Sequence, residues 1–138
     1  NTFKNNLASN STLKAGNGRK GFNIYSLIDN NNKTYWTTKQ NEFTTEIEIT
    51  LKKISHFDCF MIQENFRSGQ RIEEFSLEIW QNDQWNEIIK GTTVGYKRLL
   101  RFPEVNTNKI KLKILKSREC PEISNIGIYK TAKLNLNE

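Results

Sequence analysis

Apolar and polar residues alternate strictly over several short stretches of this sequence. Ile47, Ile49 and Leu51 alternate with polar neighbours, and the segments 75–80 and 109–114 repeat the pattern. A repeat of two places every second side chain on one face of an extended strand, whereas a helix needs a repeat near 3.6. The pattern therefore predicts half-buried antiparallel strands, each with one apolar face turned to a core.

Further segments complete the predicted set of strands. They are β-branched or aromatic-rich, are bounded by Gly, Asn, Asp or Pro, and cover 56–64, 84–89, 96–102 and 122–130. In 56–64 both alternating faces are apolar, which suits a central strand covered on both sides. The break at 81–84 predicts a tight hairpin turn. Seven or eight such strands must cover their apolar faces, so they predict two packed sheets, a sandwich or jelly roll.

The chain length of 138 residues predicts one domain with a single core. The first forty residues are polar and lack the strand pattern, and we expect them to wrap the sandwich as long loops anchored by apolar residues of 22–28. The end of the chain, 131–138, is predicted to be a flexible tail.

Several classes of function lack their sequence signals. Cys59, Cys120 and the lone His56 form no zinc motif or disulfide framework, so we expect two free, buried thiols. No nucleophile, metal or phosphate-loop motif of an enzyme is present, which predicts a non-catalytic protein. No apolar run approaches the roughly 18 residues of a membrane span, which predicts no membrane insertion.

The formal net charge of +6 favours acidic partners. However, Lys109, Lys111 and Lys113 alternate along a predicted strand, as on a solvated sheet face. Nucleic-acid binding would require basic residues and stacking aromatics gathered on one surface, and the sequence does not show that pattern. We therefore predict no nucleic-acid partner.

The loop LIDNNNKTYW, 27–36, is the first candidate binding segment. It places Asp29, three consecutive asparagines and Thr34 between apolar residues and a Tyr-Trp pair. Short oxygen-bearing side chains of this kind suit a hydrogen-bonded turn and also suit an oxygen-rich cation site. The composition leaves both interpretations open.

The segment QENFRSGQR, 63–71, is the second candidate. Glu64, Asn65, Phe66, Arg67 and Arg71 lie there between two predicted strands. A sugar binds to such a mixture, because an aromatic ring covers its C–H patch while charged and amide groups bond its hydroxyls. The alternative is that the arginines pair with nearby glutamates and only brace the loop.

The order of several motifs along the chain resembles a known family. These motifs are NLAS (6–9), LIDNNNKTYW (27–36), FMIQENFRSGQRIEEFSLEIW (60–80), QWNEI (84–88) and EISNIGIY (122–129). They resemble the discoidin-like, or coagulation factor type C, domain, and within it the family 32 carbohydrate-binding modules. Together with GTTVGYKRLLRF (91–102), they look closest to the module that follows the catalytic barrel in bacterial family 29 α-L-fucosidases.

This resemblance implies one all-β domain over 1–138, an eight-stranded antiparallel jelly-roll β-sandwich of the galactose-binding-domain type. It also implies a structural calcium ion in the loop 27–36. In the family arrangement Asp29 and Thr34 would supply side-chain oxygens, and Leu27 and Asn32 would supply carbonyls. Asn125 stands where the family often adds a glutamate, so the cage would hold one formal negative charge instead of two. Asn30 stands where the family usually has glycine.

The resemblance implies sugar binding through loops at one end of the sandwich. The expected carbohydrate-binding residues are Glu64, Asn65, Phe66, Arg67, Arg71, Tyr96 and Lys97. The implied function is non-catalytic: the module targets an attached secreted glycoside hydrolase, an α-L-fucosidase, to glycans with galactose-type or fucosylated termini. Its partners would be the glycan and the catalytic domain of the same full-length chain, in a secreted, periplasmic or cell-surface bacterial protein.

Two other functions are compatible with the sequence. One is a structural accessory domain that packs on the catalytic barrel and has no sugar site of its own. The other is a discoidin-like domain that binds anionic lipids or polyanions through its positive charge and loop aromatics such as Phe66.

Overall fold

A computed structural model describes residues 5–131 of the chain. Its strands are β1 (Thr12–Ala15), β2 (Trp36–Thr37), β3 (Thr45–Glu64), β4 (Ile72–Gln81), β5 (Gln84–Gly91), β6 (Arg98–Ser117) and β7 (Glu122–Tyr129). The helical elements among the described residues are the short 3-10 turns Leu7–Asn10, Ile24–Ile28 and Phe66–Ser68. The all-β prediction is therefore confirmed. No helix in the described part has the length and apolar character to cross a membrane.

The two long strands β3 and β6 organise the sheet. They pair antiparallel with each other along most of their length. The strand order of the whole sheet is β2-β7-β3-β6-β4-β5, and β1 pairs with β3 beside this path. The first half of β3 pairs with β1, and its second half pairs with β7. The second half of β6 pairs with β4. The long strands thus pass from one layer of the sandwich to the other, and the jelly-roll class is confirmed.

The predicted count of eight strands differs from the seven that the described residues contain. Predicted strands at 46–51 and 56–64 are one strand, β3, and those at 96–102 and 109–114 are one strand, β6. Register shifts between Thr50 and Ser55, and between Phe57 and Cys59, interrupt the pairing of β3 with β6. Such bulges bend a strand without ending it. The alternation of apolar and polar residues is therefore interrupted inside a continuous strand, and the sequence pattern divides it into two.

One hydrophobic core lies between the two layers. It includes Trp36, Ile47, Phe57, Phe60, Ile62, Phe75, Leu77, Ile110, Leu112 and Ile126, all nearly or fully buried. Past the bulge, Cys59 and Met61 turn to the opposite face of β3 and form a second, small cluster with Tyr129. This confirms that 56–64 is a central strand with two apolar faces.

The segment before β2 wraps the sandwich as predicted. Leu27 is fully buried, and Ile24 and Ile28 pack against the core. The hairpin at 81–84 is also confirmed, because Asn82 and Asp83 adopt the left-handed φ angles of 55° and 59° that a two-residue turn between β4 and β5 requires.

The remaining expectations concern the cysteines, the charged face and the tail. Both cysteines are free and buried, as predicted. Lys111 lies 3.5 Å from Glu46, and Lys113 lies 3.5 Å from Glu78, so these two lysines belong to a charge-paired sheet face. The face is less solvated than predicted, because the Lys111 side chain is mostly buried beside the Trp85 ring. The predicted tail at 131–138 falls, from 132 onward, outside the described residues.

Candidate functional site

Hydrogen bonds and ring contacts join several loops into one surface. The backbone N–H of Asn65, after β3, donates to the Glu122 carbonyl at the start of β7, and the N–H of Arg118 donates to the Arg71 carbonyl. The loop between β2 and β3 joins them through Cys120, whose Sγ lies 3.4 Å from the Lys39 carbonyl oxygen. Segments that are distant in sequence therefore face one another here.

Glu122 is the centre of the polar contacts between these loops. Its Oε1 accepts hydrogen bonds from Asn65 Nδ2, at 3.0 Å, and from the Ser68 hydroxyl. Its Oε2 lies 3.3 Å from Nη1 of Arg71, which also donates to the Cys120 carbonyl at 2.9 Å. Because both side chains of the ion pair are mostly buried, this network fixes the shape of the 65–71 loop.

Glu64 supports the same loop from inside the protein. It is 2% exposed, and its Oε1 accepts from the backbone N–H groups of Arg71 and Ile72 at 3.0 and 3.2 Å. Its Oε2 is buried and has no hydrogen-bond partner among the described residues. Burial raises the pKa of the Glu64 carboxyl above its ordinary value, although the two backbone bonds act in the opposite direction.

The seven predicted carbohydrate-binding residues therefore divide into two groups. Glu64, Asn65 and Arg71 brace the loop through the contacts above. Phe66, Arg67, Tyr96 and Lys97 are exposed. The rings of Phe66 and Tyr96 meet edge to face with their centroids 5.8 Å apart, and each is more than half exposed. We call these four residues the Phe66–Tyr96 shelf.

A cavity of about 290 Å³ lies beside the braced loop. Its walls include Arg19, Gln40, Asn41, Phe43, Arg71 and Glu122, and we call it the Arg71 cavity. Nε of Arg19 donates to the Thr38 carbonyl at 2.8 Å, which fixes the guanidinium at the wall. The cavity thus combines two guanidinium groups, side-chain amides, two carboxylates and one exposed aromatic ring.

Cys120 and Glu119 also line the Arg71 cavity. Burial raises the pKa of the Cys120 thiol, but hydrogen bonds from the Thr38 hydroxyl and the backbone of Asn41 and Glu42 outweigh burial, so the net pKa is lowered. These contacts favour the thiolate form of Cys120 relative to a buried thiol without partners.

Among the walls of this cavity, only Arg71 was a predicted candidate residue. The other walls come from the segments 19, 40–43 and 119–122, and only folding brings these together. A signal for these walls was available in the polar run TTKQNEF, 37–43, which directly follows the buried Trp36 and ends with the exposed Phe43.

The loop 27–36 is held by its own side chains. Oδ1 of Asp29 accepts from the Asn31 N–H at 2.9 Å, and Oδ2 accepts from the Thr34 hydroxyl at 2.6 Å. Asn30 has a left-handed φ of 59°, a conformation that glycine and asparagine tolerate best, which explains how asparagine replaces the family's glycine. The hydrogen-bonded turn that the sequence predicts is therefore present.

The same loop gathers oxygen ligands of the type that calcium prefers. The Asp29 carboxylate and the Thr34 hydroxyl are in hydrogen-bond contact, and Asn125 lies in β7. Trp36 pairs with Ile123, two residues before Asn125 in β7, so Asn125 lies on the strand beside the end of this loop. No group of three His, Cys, Asp or Glu side chains suited to a metal occurs within 5–131. The residues fit calcium by ligand type, with one carboxylate as the only charge.

Comparison with known proteins places this architecture in a family. The family model described as the F5/8 type C domain matches residues 6–127. The chain belongs to the F5/8 type C domain family. Domains of this family are non-catalytic modules. The predicted resemblance to the discoidin-like domain is confirmed.

Relatives of this F5/8 type C domain include parts of much longer proteins. Alpha-L-fucosidase 1 of Arabidopsis thaliana is 34% identical over 134 residues, which cover 92% of this chain and 26% of the relative. A Ruminococcus gnavus GH29 fucosidase solved in complex with fucose is 34% identical with a TM-score of 0.88, over 96% of this chain and 28% of that one. The chain thus spans about a quarter of the length of these relatives.

A shorter structure shares the fold over nearly its whole length. The family 32 carbohydrate-binding module of Clostridium perfringens NanJ, solved in complex with galactose, has a TM-score of 0.80 and 18% identity. The match covers 91% of this chain and 98% of that module. At this identity the likeness concerns the fold.

Proposed function

We propose that this F5/8 type C domain is a carbohydrate-binding module that holds an attached glycoside hydrolase on glycans with galactose-type or fucosylated termini. The observation that carries the proposal is the Arg71 cavity. Its volume of about 290 Å³ suits one sugar unit, and its walls offer charged, amide and aromatic groups on a braced scaffold. Sugar-binding sites need this combination of hydroxyl partners and an apolar surface.

The chemistry of the cavity favours a neutral sugar. Arg19 and Arg71 are balanced by the carboxylates of Glu119 and Glu122. Guanidinium groups donate to hydroxyl oxygens, and carboxylates accept from hydroxyl protons. Phe43, 38% exposed, offers its ring to the C–H face of the sugar. The Phe66–Tyr96 shelf then supplies exposed apolar surface and two cationic side chains for further units of a glycan.

The proposed partner is a catalytic α-L-fucosidase domain in the same full-length chain, in a secreted, periplasmic or cell-surface protein. The lengths of the relatives support this, because this domain matches about a quarter of proteins named as fucosidases. A weakly binding module gains effective concentration when it is linked to an enzyme that acts on the same surface.

The test is calorimetric titration of the 138-residue chain with galactose and fucose, using glucose for comparison. We expect Phe43→Ala and Arg19→Ala each to weaken binding about ten-fold or more, as loss of a charged hydrogen bond or of ring contact does. Ile54→Ala and Lys53→Ala, which change exposed residues outside the cavity, serve as matched controls. If the parent protein bound no glycan on a broad array, the result would contradict the proposal and favour a structural accessory role.

We further propose that the loop 27–36 binds a structural calcium ion. Leu27 and Asn32 would add carbonyls to Asp29 and Thr34, with Asn125 as the remaining ligand. The ion would supply positive charge that fixes the loop, and with a single carboxylate the affinity should be weak.

The measurement for calcium is the melting temperature in EDTA and in added calcium. An ion that binds only the native state stabilises it by about 2.7 kcal/mol at a hundredfold excess over its Kd. We expect calcium to raise the melting temperature of the parent, and Asp29→Asn to abolish this response. Asp83→Asn, in the hairpin turn, is the control that should still respond. Identical melting of the parent in EDTA and in calcium would rule the site out.

A further inference from the structure

A second, larger cavity shares no wall residue with the Arg71 cavity. It measures about 510 Å³ and lies at the start of β4, the end of β5 and both ends of β6. Its walls include Glu73, Glu74, Lys90, Thr92, Arg98 and Lys116. We call it the Arg98 groove.

The walls of the Arg98 groove are held in place by neighbouring contacts. Val94, 4% exposed, anchors the loop between β5 and β6 in the core. Nη1 of Arg98 donates to the Thr93 carbonyl at 2.7 Å. Gly91 rests directly on the Phe75 ring, where an added Cβ would stand 2.5 Å from Cζ. The groove is therefore formed before a ligand arrives, which reduces the entropy cost of binding.

The charges of the groove do not cancel. Lys90 lies 3.7 Å from Glu74, and Lys116 lies 3.9 Å from Glu73. These pairs are long and solvated, and pairs of this kind hold their partners weakly. Arg98 forms no ion pair with a carboxylate among the described residues. One guanidinium therefore remains without a counter-charge in a groove that also carries the hydroxyl of Thr92.

We propose that the Arg98 groove binds an acidic group carried by a saccharide, either a sulfate ester or a carboxylate. The planar fork of a guanidinium matches the paired oxygens of both groups, and the two lysines add charge attraction. Threonine hydroxyls and the two glutamates suit the neighbouring sugar hydroxyls. None of the wall residues is aromatic, so a nucleobase would find no ring on which to stack.

The experiment is an NMR titration of the isotope-labelled 138-residue chain with galactose 6-sulfate, with glucuronic acid and with galactose. The two acidic sugars should shift the backbone amides of Gly91, Thr92 and Arg98, and added salt should weaken their binding. Arg98→Gln should weaken binding of galactose 6-sulfate about ten-fold, the effect of losing one charged hydrogen bond. Glu74→Gln removes an opposing charge and should tighten it. Lys53→Gln, an equal charge change outside the groove, should leave it unchanged.

Three results would overturn the proposal. Arg98→Gln could bind galactose 6-sulfate as the parent does. The shifts could map to the Arg71 cavity. Inorganic sulfate alone could bind as tightly as the sulfated sugar, which would leave an anion site without sugar recognition. Neutral galactose binding at the Arg71 cavity should be the same in Arg98→Gln and the parent, so this proposal and the proposed function can fail separately.

Discussion

Replacing Trp36 by alanine is expected to lower the free energy of unfolding by about 3–5 kcal/mol, the range for loss of a large buried aromatic side chain. Trp36 is 1% exposed, and it forms with Thr37 the short strand β2 that pairs with β7. Gly18 lies against its indole, where an added Cβ would stand 2.9 Å from Nε1. The indole is therefore closely packed on this side, and its replacement by alanine would leave a cavity.

Urea denaturation of the variant, compared with Trp80→Ala, tests this expectation. Trp80 is 36% exposed, so its loss should cost less than half as much. Because Trp36 directly precedes the loop that carries Gln40, Asn41 and Phe43, galactose binding should weaken along with stability. Equal losses in the two variants would contradict the central role of Trp36.

Replacing Glu122 by alanine is expected to lower the free energy of unfolding by about 2–4 kcal/mol, because removal of one partner leaves buried polar groups uncompensated. Arg71 would lose its ion pair, and the side chains of Asn65 and Ser68 would lose their acceptor. The same change removes a wall of the Arg71 cavity, so galactose binding should fall below detection.

Two variants separate these effects in denaturation and titration experiments. Glu119→Ala removes an exposed carboxylate from the same cavity, and its effect on stability should stay within about 0.5 kcal/mol. Glu122→Gln keeps an acceptor for Asn65 but loses the charge, so its stability should lie between that of the parent and that of Glu122→Ala. If Glu122→Ala were as stable as Glu119→Ala, the network would not brace the loop.

The candidate sites were only partly predictable from the sequence. Phe66, Arg67, Tyr96 and Lys97 lie on the surface, which is compatible with the predicted contact with sugar. Glu64 belongs to the same polar run, yet its carboxylate turns inward to two backbone N–H groups. A run of polar residues does not reveal which member faces water, because that depends on where the chain bends at the end of β3.

The loop 27–36 illustrates a second limit of the sequence. Its hydrogen-bonded turn follows from local chemistry, since the side chains of Asp29, Asn31 and Thr34 bond groups within five residues of themselves. The position of Asn125 depends instead on the pairing of β2 with β7. The proposed calcium site would need both, so the local pattern alone could not predict its full set of ligands.

The amino-acid sequence by itself determined the strands, the hairpin turn and the family, because alternation, turn residues and motif order act over short distances along the chain. The tertiary structure decided that four predicted strands join into β3 and β6, and that Arg19, Phe43, Arg71 and Glu122 surround one cavity. It also decided which charges remain uncompensated, at Arg98. The physical reason is that cavities and ion pairs form between segments far apart in sequence, and only the packing of the two layers sets their distances.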